Sequence, residues 1–86
     1  MPAKPLIMIA RARLRMRGRR VMMEWIELTA RTPEWTEPDP RDLTIERRFR
    51  VIGEFGGRIL RVACVETTTA IRVISVMFDR NARRKS

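Results

Sequence analysis

The apolar positions along this 86-residue chain change their period once, about half-way. In the first half, Ile9, Ala12 and Met16 recur at spacings of three and four, which predicts one face of a helix over residues 10–20. A second helical stretch, residues 22–31, sets Met22, Trp25, Ile26 and Thr29 on one face. It ends at Thr32-Pro33, because the residue before a proline is pushed out of the helical region. Beyond the Pro38-Asp39-Pro40 turn the period drops to two. Three strands are predicted, over residues 46–52, 58–66 and 70–78, joined by 53–57 and by the threonines 67–69. Trp35, on the approach to the turn, suits a short edge strand.

Because strand side chains alternate, a slip of one residue exchanges the two faces, so register decides the site. A two-residue turn at Thr68-Thr69 sets Glu66 opposite Ile71 and Arg61 opposite Val76. A four-residue loop over 54–57 sets Ile52 opposite Ile59 and Arg50 opposite Arg61. One face then holds Phe49, Val51, Leu60, Val62, Cys64, Ile71, Val73 and Met77, an apolar layer for the helices to cover. The other gathers Glu46, Arg48, Arg50, Arg61 and Arg72 beside Ile59, Ile74, Val76 and Phe78. The expected fold is one α+β domain over residues 9–80, two N-terminal helices packed on one face of a three- to four-stranded antiparallel sheet. Residues 1–8 are expected as an extended lead-in and 81–86 as a basic tail.

Charge sharpens this picture. Of 19 basic residues two are lysine, against 10 acidic residues, for a net charge of +9. The charge falls in blocks of +7 over residues 1–20, −5 over 21–46 and +7 over 47–86. Guanidinium is the side chain suited to bidentate recognition of phosphate or carboxylate. In the first helix Arg11, Arg15 and Arg19 form one row and Arg13, Arg17 and Arg20 another, with no acid in the segment to offset them. Histidine and tyrosine are both missing, which removes the two side chains most often used as proton shuttles in RNA cleavage. The lone Cys64 excludes an internal disulfide and, without histidine, a zinc site; it reads as a core residue. No cofactor or metal is expected. The apolar run Leu6 to Ala10 is too short for a membrane span, and a cytoplasmic protein is the expectation.

On the residues alone, Glu46 is a candidate general base, with Arg61 and Arg72 as a clamp on a phosphate. The plainer reading makes ion pairs of the same residues, Glu46 with Arg72 or with Arg48. Trp25 is expected in the core, and Trp35 there too or on a partner surface.

The succession Arg11-Ala12-x-x-Arg15-Met16, Val21, Trp25-Ile26, Pro33-Glu34, Pro38-Asp39-Pro40, Phe55-Gly56-Gly57-Arg58, Leu60-Arg61-Val62, Arg72-Val73-Ile74 and Phe78-Asp79-Arg80 resembles a small bacterial family, domain of unknown function 4258. That family in turn resembles the BrnT-type ribonuclease toxins of the RelE/ParE superfamily. The resemblance spans about residues 9–84. It implies two helices on an antiparallel sheet and the toxin of a type II toxin–antitoxin pair, cleaving RNA without a metal and neutralised by an acidic antitoxin protein. Carried over by position, the family's His-Ala-x-x-Arg-Met start falls on Arg11, Ala12, Arg15 and Met16 and its strand arginines on Arg61 and Arg72. With the residue-based candidate Glu46 the catalytic set is Arg61, Arg72, Glu46 and Arg11, and Arg15, Arg48, Arg50, Arg58 and Arg80 are candidate RNA contacts. The family's opening histidine is replaced here by Arg11, and arginine is a poor acid or base. The alternative is a non-catalytic RNA- or protein-binding module on the same scaffold, as a monomer, a homo-oligomer or a hetero-oligomer.

Overall fold

A computed structural model describes residues 3–83. The elements run β1 (Leu6–Met8), α1 (Ala10–Gly18), α2 (Met23–Arg31), β2 (Trp35–Pro38), β3 (Glu46–Ile52), a 3-10 turn (Gly53–Phe55), β4 (Arg58–Glu66) and β5 (Ile71–Phe78). The sheet has five strands in the order β1-β5-β4-β3-β2. Strands β2 to β5 form an antiparallel meander, and β1 lies parallel to β5. The fold is α+β, as expected, but the sheet is mixed and larger than the three or four antiparallel strands predicted. The additional strand comes from the segment expected to lead in. Ile71 donates to Pro5 O (3.0 Å) and Ile9 to Val73 O (3.2 Å), which zips Leu6–Met8 onto the β5 edge and buries Met8. The predicted edge strand at Trp35 is present as β2. The basic tail lies partly outside the described residues, at 84–86.

Both helices cover the same face of the sheet, α1 over β5 and α2 over β3 and β4. Helix α2 buries Trp25, Ile26, Thr29 and Ala30 against Leu60, Val62 and Cys64. Fully burying an aliphatic side chain of this size contributes about 1.5–3 kcal/mol, so stability concentrates on the α2–β4 seam. Helix α1 is held far more lightly. Only Ala12 is fully buried, with Ile9 and Met16 partly so. It ends at Gly18, two residues sooner than predicted, where Arg20 adopts a left-handed backbone (φ 56°) and lets Val21 N donate to Met16 O at 3.0 Å. Among the described residues no helix is long and apolar enough to cross a membrane.

Two local features overturn the predicted register. The loop between β3 and β4 has five residues, not four. The 3-10 turn is followed by Gly56 (φ 67°) and Gly57 (φ 73°), and Gly57 N donates to Ile52 O. Ile52 therefore faces Arg58, Arg50 faces Leu60, and Phe49 faces Arg61. With a period of two, that single residue turns β3 over. Ile52 enters the core in place of Phe49 and Val51, which go to the helix-free face. On the other side, Cys64 faces Val73 while Ala63 faces Ser75, leaving Ile74 as the extra residue of a bulge. Glu66 does face Ile71, as predicted, but beyond the bulge Arg61 faces Met77 rather than Val76. Val76 and Phe78 thereby turn into the helix-covered core, and Met77 turns out of it.

Candidate functional site

Reversing β3 divides the expected arginine face. Arg48 and Arg50 lie on the helix side, where the last carbonyls of α2 lack intrahelical partners. Arg48 Nη1 donates to Ala30 O and Arg50 Nη1 to Thr32 O, each at 2.6 Å. Cations suit this end because the helix dipole is negative there. Arg48 also donates from Nε to Glu46 (2.8 Å) and from Nη2 to Glu66 (2.7 Å), leaving its side chain 11% exposed. Burial pulls its pKa down, but the bonds it donates to Glu66 and Glu46 outweigh burial and raise it. Of the two predicted ion pairs for Glu46, the one with Arg48 forms. The one with Arg72 does not, since Glu46 faces Cys64 and not the strand position beside Arg72.

Arg61 and Arg72 stay on the helix-free face, as predicted, but apart. Arg72 faces Val65, four residues along β4 from Arg61, a separation of about 13 Å at the usual strand rise. Arg61 donates to Asp79 Oδ2 at 3.0 Å and lies against the Met77 sulphur. Burial, with the neighbouring Arg47 charge, lowers its pKa from the ordinary arginine value. Arg47 is itself paired with Asp39 (3.3 Å), and Trp35 stacks flat on Phe49, with ring centres 5.0 Å apart and 3° between planes. Asp39 and Asp79 are thus engaged with Arg47 and Arg61 on this face. The four candidate catalytic residues are split between the two sides of the sheet. Arg11 and Glu46 lie on the helix side, Arg61 and Arg72 on the other.

Free positive charge is concentrated on α1 and the turn that closes it. Arg11, Arg13, Arg15, Arg17, Arg19 and Arg20 are all exposed, and none pairs with a carboxylate among the described residues. Arg11, Arg15 and Arg19 follow one another at steps of about 6 Å along the axis. The row ends at a cleft of about 530 Å³ lined by Arg19, Arg58 and Arg80 together with Phe55 and Phe78. Phe55 is wedged against Phe78 (4.9 Å between centroids) and Trp25 (5.4 Å), and the Arg58 guanidinium sits 4.8 Å from its ring centre. The cleft's only acid, Asp79, has both oxygens occupied, Oδ2 by Arg61 and Oδ1 by the Asn81 amide at 2.9 Å.

Arg58 and Arg80 were singled out by sequence; Arg19 and Phe55 were not assigned to a site with them. Their only signal was chain position, Arg19 closing the i, i+4 row and Phe55 opening the Gly-Gly turn. Cys64 is fully buried, and burial pushes its thiol pKa up to about 11, which removes it as a nucleophile at neutral pH. Comparison with protein-family models, with curated proteins and with solved structures finds no match to this chain.

Proposed function

We propose that this protein binds single-stranded RNA along the arginine face of α1, a binding module of toxin-like build that an acidic partner protein silences by covering the same arginines. The observation that carries this is the set of six exposed arginines on α1 and the turn that closes it, none bonded to a carboxylate among the described residues. Three like-charge pairs at i, i+4 (Arg11–Arg15, Arg15–Arg19 and Arg13–Arg17) cost about 1 kcal/mol together. They sit on a helix that buries little to offset them. A polyanion laid along the helix relieves that repulsion and supplies counterion release besides. The acidic partner supplies the same relief from carboxylates.

Metal-free cleavage requires a base, a held in-line geometry and stabilisation of the phosphorane charge at one point. The division of Arg11 and Glu46 from Arg61 and Arg72 by the sheet argues for binding without cleavage. Fluorescence anisotropy with a short single-stranded RNA tests the assignment. The Arg11→Ala/Arg15→Ala double variant should lose at least about tenfold in affinity, about 1.4 kcal/mol, while Arg72→Ala changes it little. The reverse order would put the RNA on the helix-free face and overturn the proposal. Purified protein should leave that RNA intact in the absence of metal; specific cleavage products would restore the ribonuclease reading.

A further inference from the structure

We infer that the cleft at the end of α1 receives one unstacked nucleotide of the bound strand, its base against the Arg58–Phe55 pair and its phosphate between Arg19 and Arg80. The assignment rests on the RNA-binding reading above and adds to it a base-dependent contact.

The cleft combines three properties that a nucleotide needs together. Its volume of about 530 Å³ falls within the 300–1,000 Å³ typical of small-ligand sites. Its charge is one-sided, because Arg19, Arg58 and Arg80 bond no carboxylate among the described residues and Asp79 is already taken up by Arg61 and the Asn81 amide. A cationic ligand would find no free carboxylate there, whereas an anion meets three guanidinium groups. Its wall is aromatic. Phe55 packs against Trp25 and Phe78, and Arg58 rests over its ring. A guanidinium plane stacks bases as an aromatic ring does, and does so for any base.

The chain around this wall leaves room for the ligand. Gly57, whose left-handed backbone (φ 73°) turns the loop into β4, lines the cleft, and a Cβ built there meets nothing within 4 Å. Inorganic phosphate alone leaves the aromatic wall unused, and the carboxylates of an acidic peptide pair with the edge of the Arg58 guanidinium and leave its face uncovered. The row Arg11, Arg15, Arg19 leads a backbone of phosphates to the cleft mouth, so the nucleotide held there is the one at which the strand leaves the helix.

The test compares an oligoadenylate RNA with an abasic strand of equal length, and with adenosine monophosphate, on the wild-type protein and on Arg58→Lys. The exposed Arg58 is outside the buried core, and lysine keeps its charge while losing the plane. The wild type should prefer the oligoadenylate over the abasic strand by about fivefold or more, about fivefold being the low end for one base stacked. Arg58→Lys should lose that preference, its affinity for the oligoadenylate falling to about its affinity for the abasic strand. A Trp35→Phe background leaves Trp25, 5.4 Å from Phe55, as a local fluorescence reporter of occupancy. Equal wild-type affinity for the two strands overturns the cleft assignment and leaves the RNA reading standing. No binding of either strand overturns both. Adenosine monophosphate binding as tightly as the strand would reassign the cleft to a free nucleotide.

Discussion

Replacing Arg48 separates the structural arginines from the binding ones. Its guanidinium makes three bonds: to Ala30 O at the end of α2 (2.6 Å), to Glu46 (2.8 Å) and to Glu66 (2.7 Å). Two of these partners are carboxylates whose side chains are 47% and 36% exposed, so water screens them and each contributes no more than about 0.5–1 kcal/mol. The bond to Ala30 O is charge-assisted and part-buried, worth about 1.5 kcal/mol. Arg48→Met keeps the aliphatic stem and should therefore destabilise by about 2–3 kcal/mol. For a domain of this size that lowers Tm by about 10–20 °C. Urea denaturation followed by tryptophan fluorescence measures it. RNA affinity should stay within about twofold, because the guanidinium points at α2 and not outward. A stability loss below about 0.5 kcal/mol together with weakened RNA binding would place Arg48 in the RNA interface and refute the reasoning.

The same substitution has a pH signature. Hydrogen bonds from Lys4 and from Arg48 hold the Glu66 carboxyl below its ordinary value of 4.5. A carboxyl depressed in the folded state lends stability that is present above the unfolded value and disappears as pH falls through the folded one. Acidification below about pH 4.5 should thus destabilise the wild type more than Arg48→Met, and the gap between the two should narrow.

Further outcomes follow from single residues. Thr29 is fully buried and its hydroxyl has no hydrogen-bond partner among the described residues, so Thr29→Val should stabilise by about 1 kcal/mol in urea melts. Arg20 occupies the left-handed position that closes α1, and Arg20→Gly should raise stability by up to about 1 kcal/mol; a loss larger than that would contradict the strain argument. Cys64, with its thiol pKa near 11, should resist a thiol reagent at pH about 8 in native protein and react once the chain is unfolded.

What the sequence made legible follows from what each feature depends on. The helices and the three long strands rest on local periodicity, and they stand within one residue of prediction except at the Gly18 end of α1, which comes two residues sooner. The α1 arginine rows were equally readable, because a surface helix presents its faces without reference to any partner. Faces of the sheet depend on loop counts, and there two single-residue events intervened. Gly56 and Gly57, both left-handed, add one residue to the β3–β4 return, and the Ile74 bulge adds one to β5. Together they send Arg48 and Arg50 to the helix side and Val76 and Phe78 into the core. Three residues of β1 carried too little pattern to announce a strand; the open β5 edge recruited them. The two Arg–carbonyl bonds at the end of α2 had a readable motive after the fact, the unpaired carbonyls of any helix end.

The salt dependence of RNA binding tests the central claim most directly. Single strands respond with a slope of about −0.7 per neutralised phosphate in a plot of log affinity against log salt. About four phosphate contacts along α1 and at its cleft predict a wild-type slope near −3. Arg11→Ala/Arg15→Ala should make that slope shallower by about 1.4. A slope unchanged by the double substitution would mean that the strand does not lie on α1, and would contradict the account.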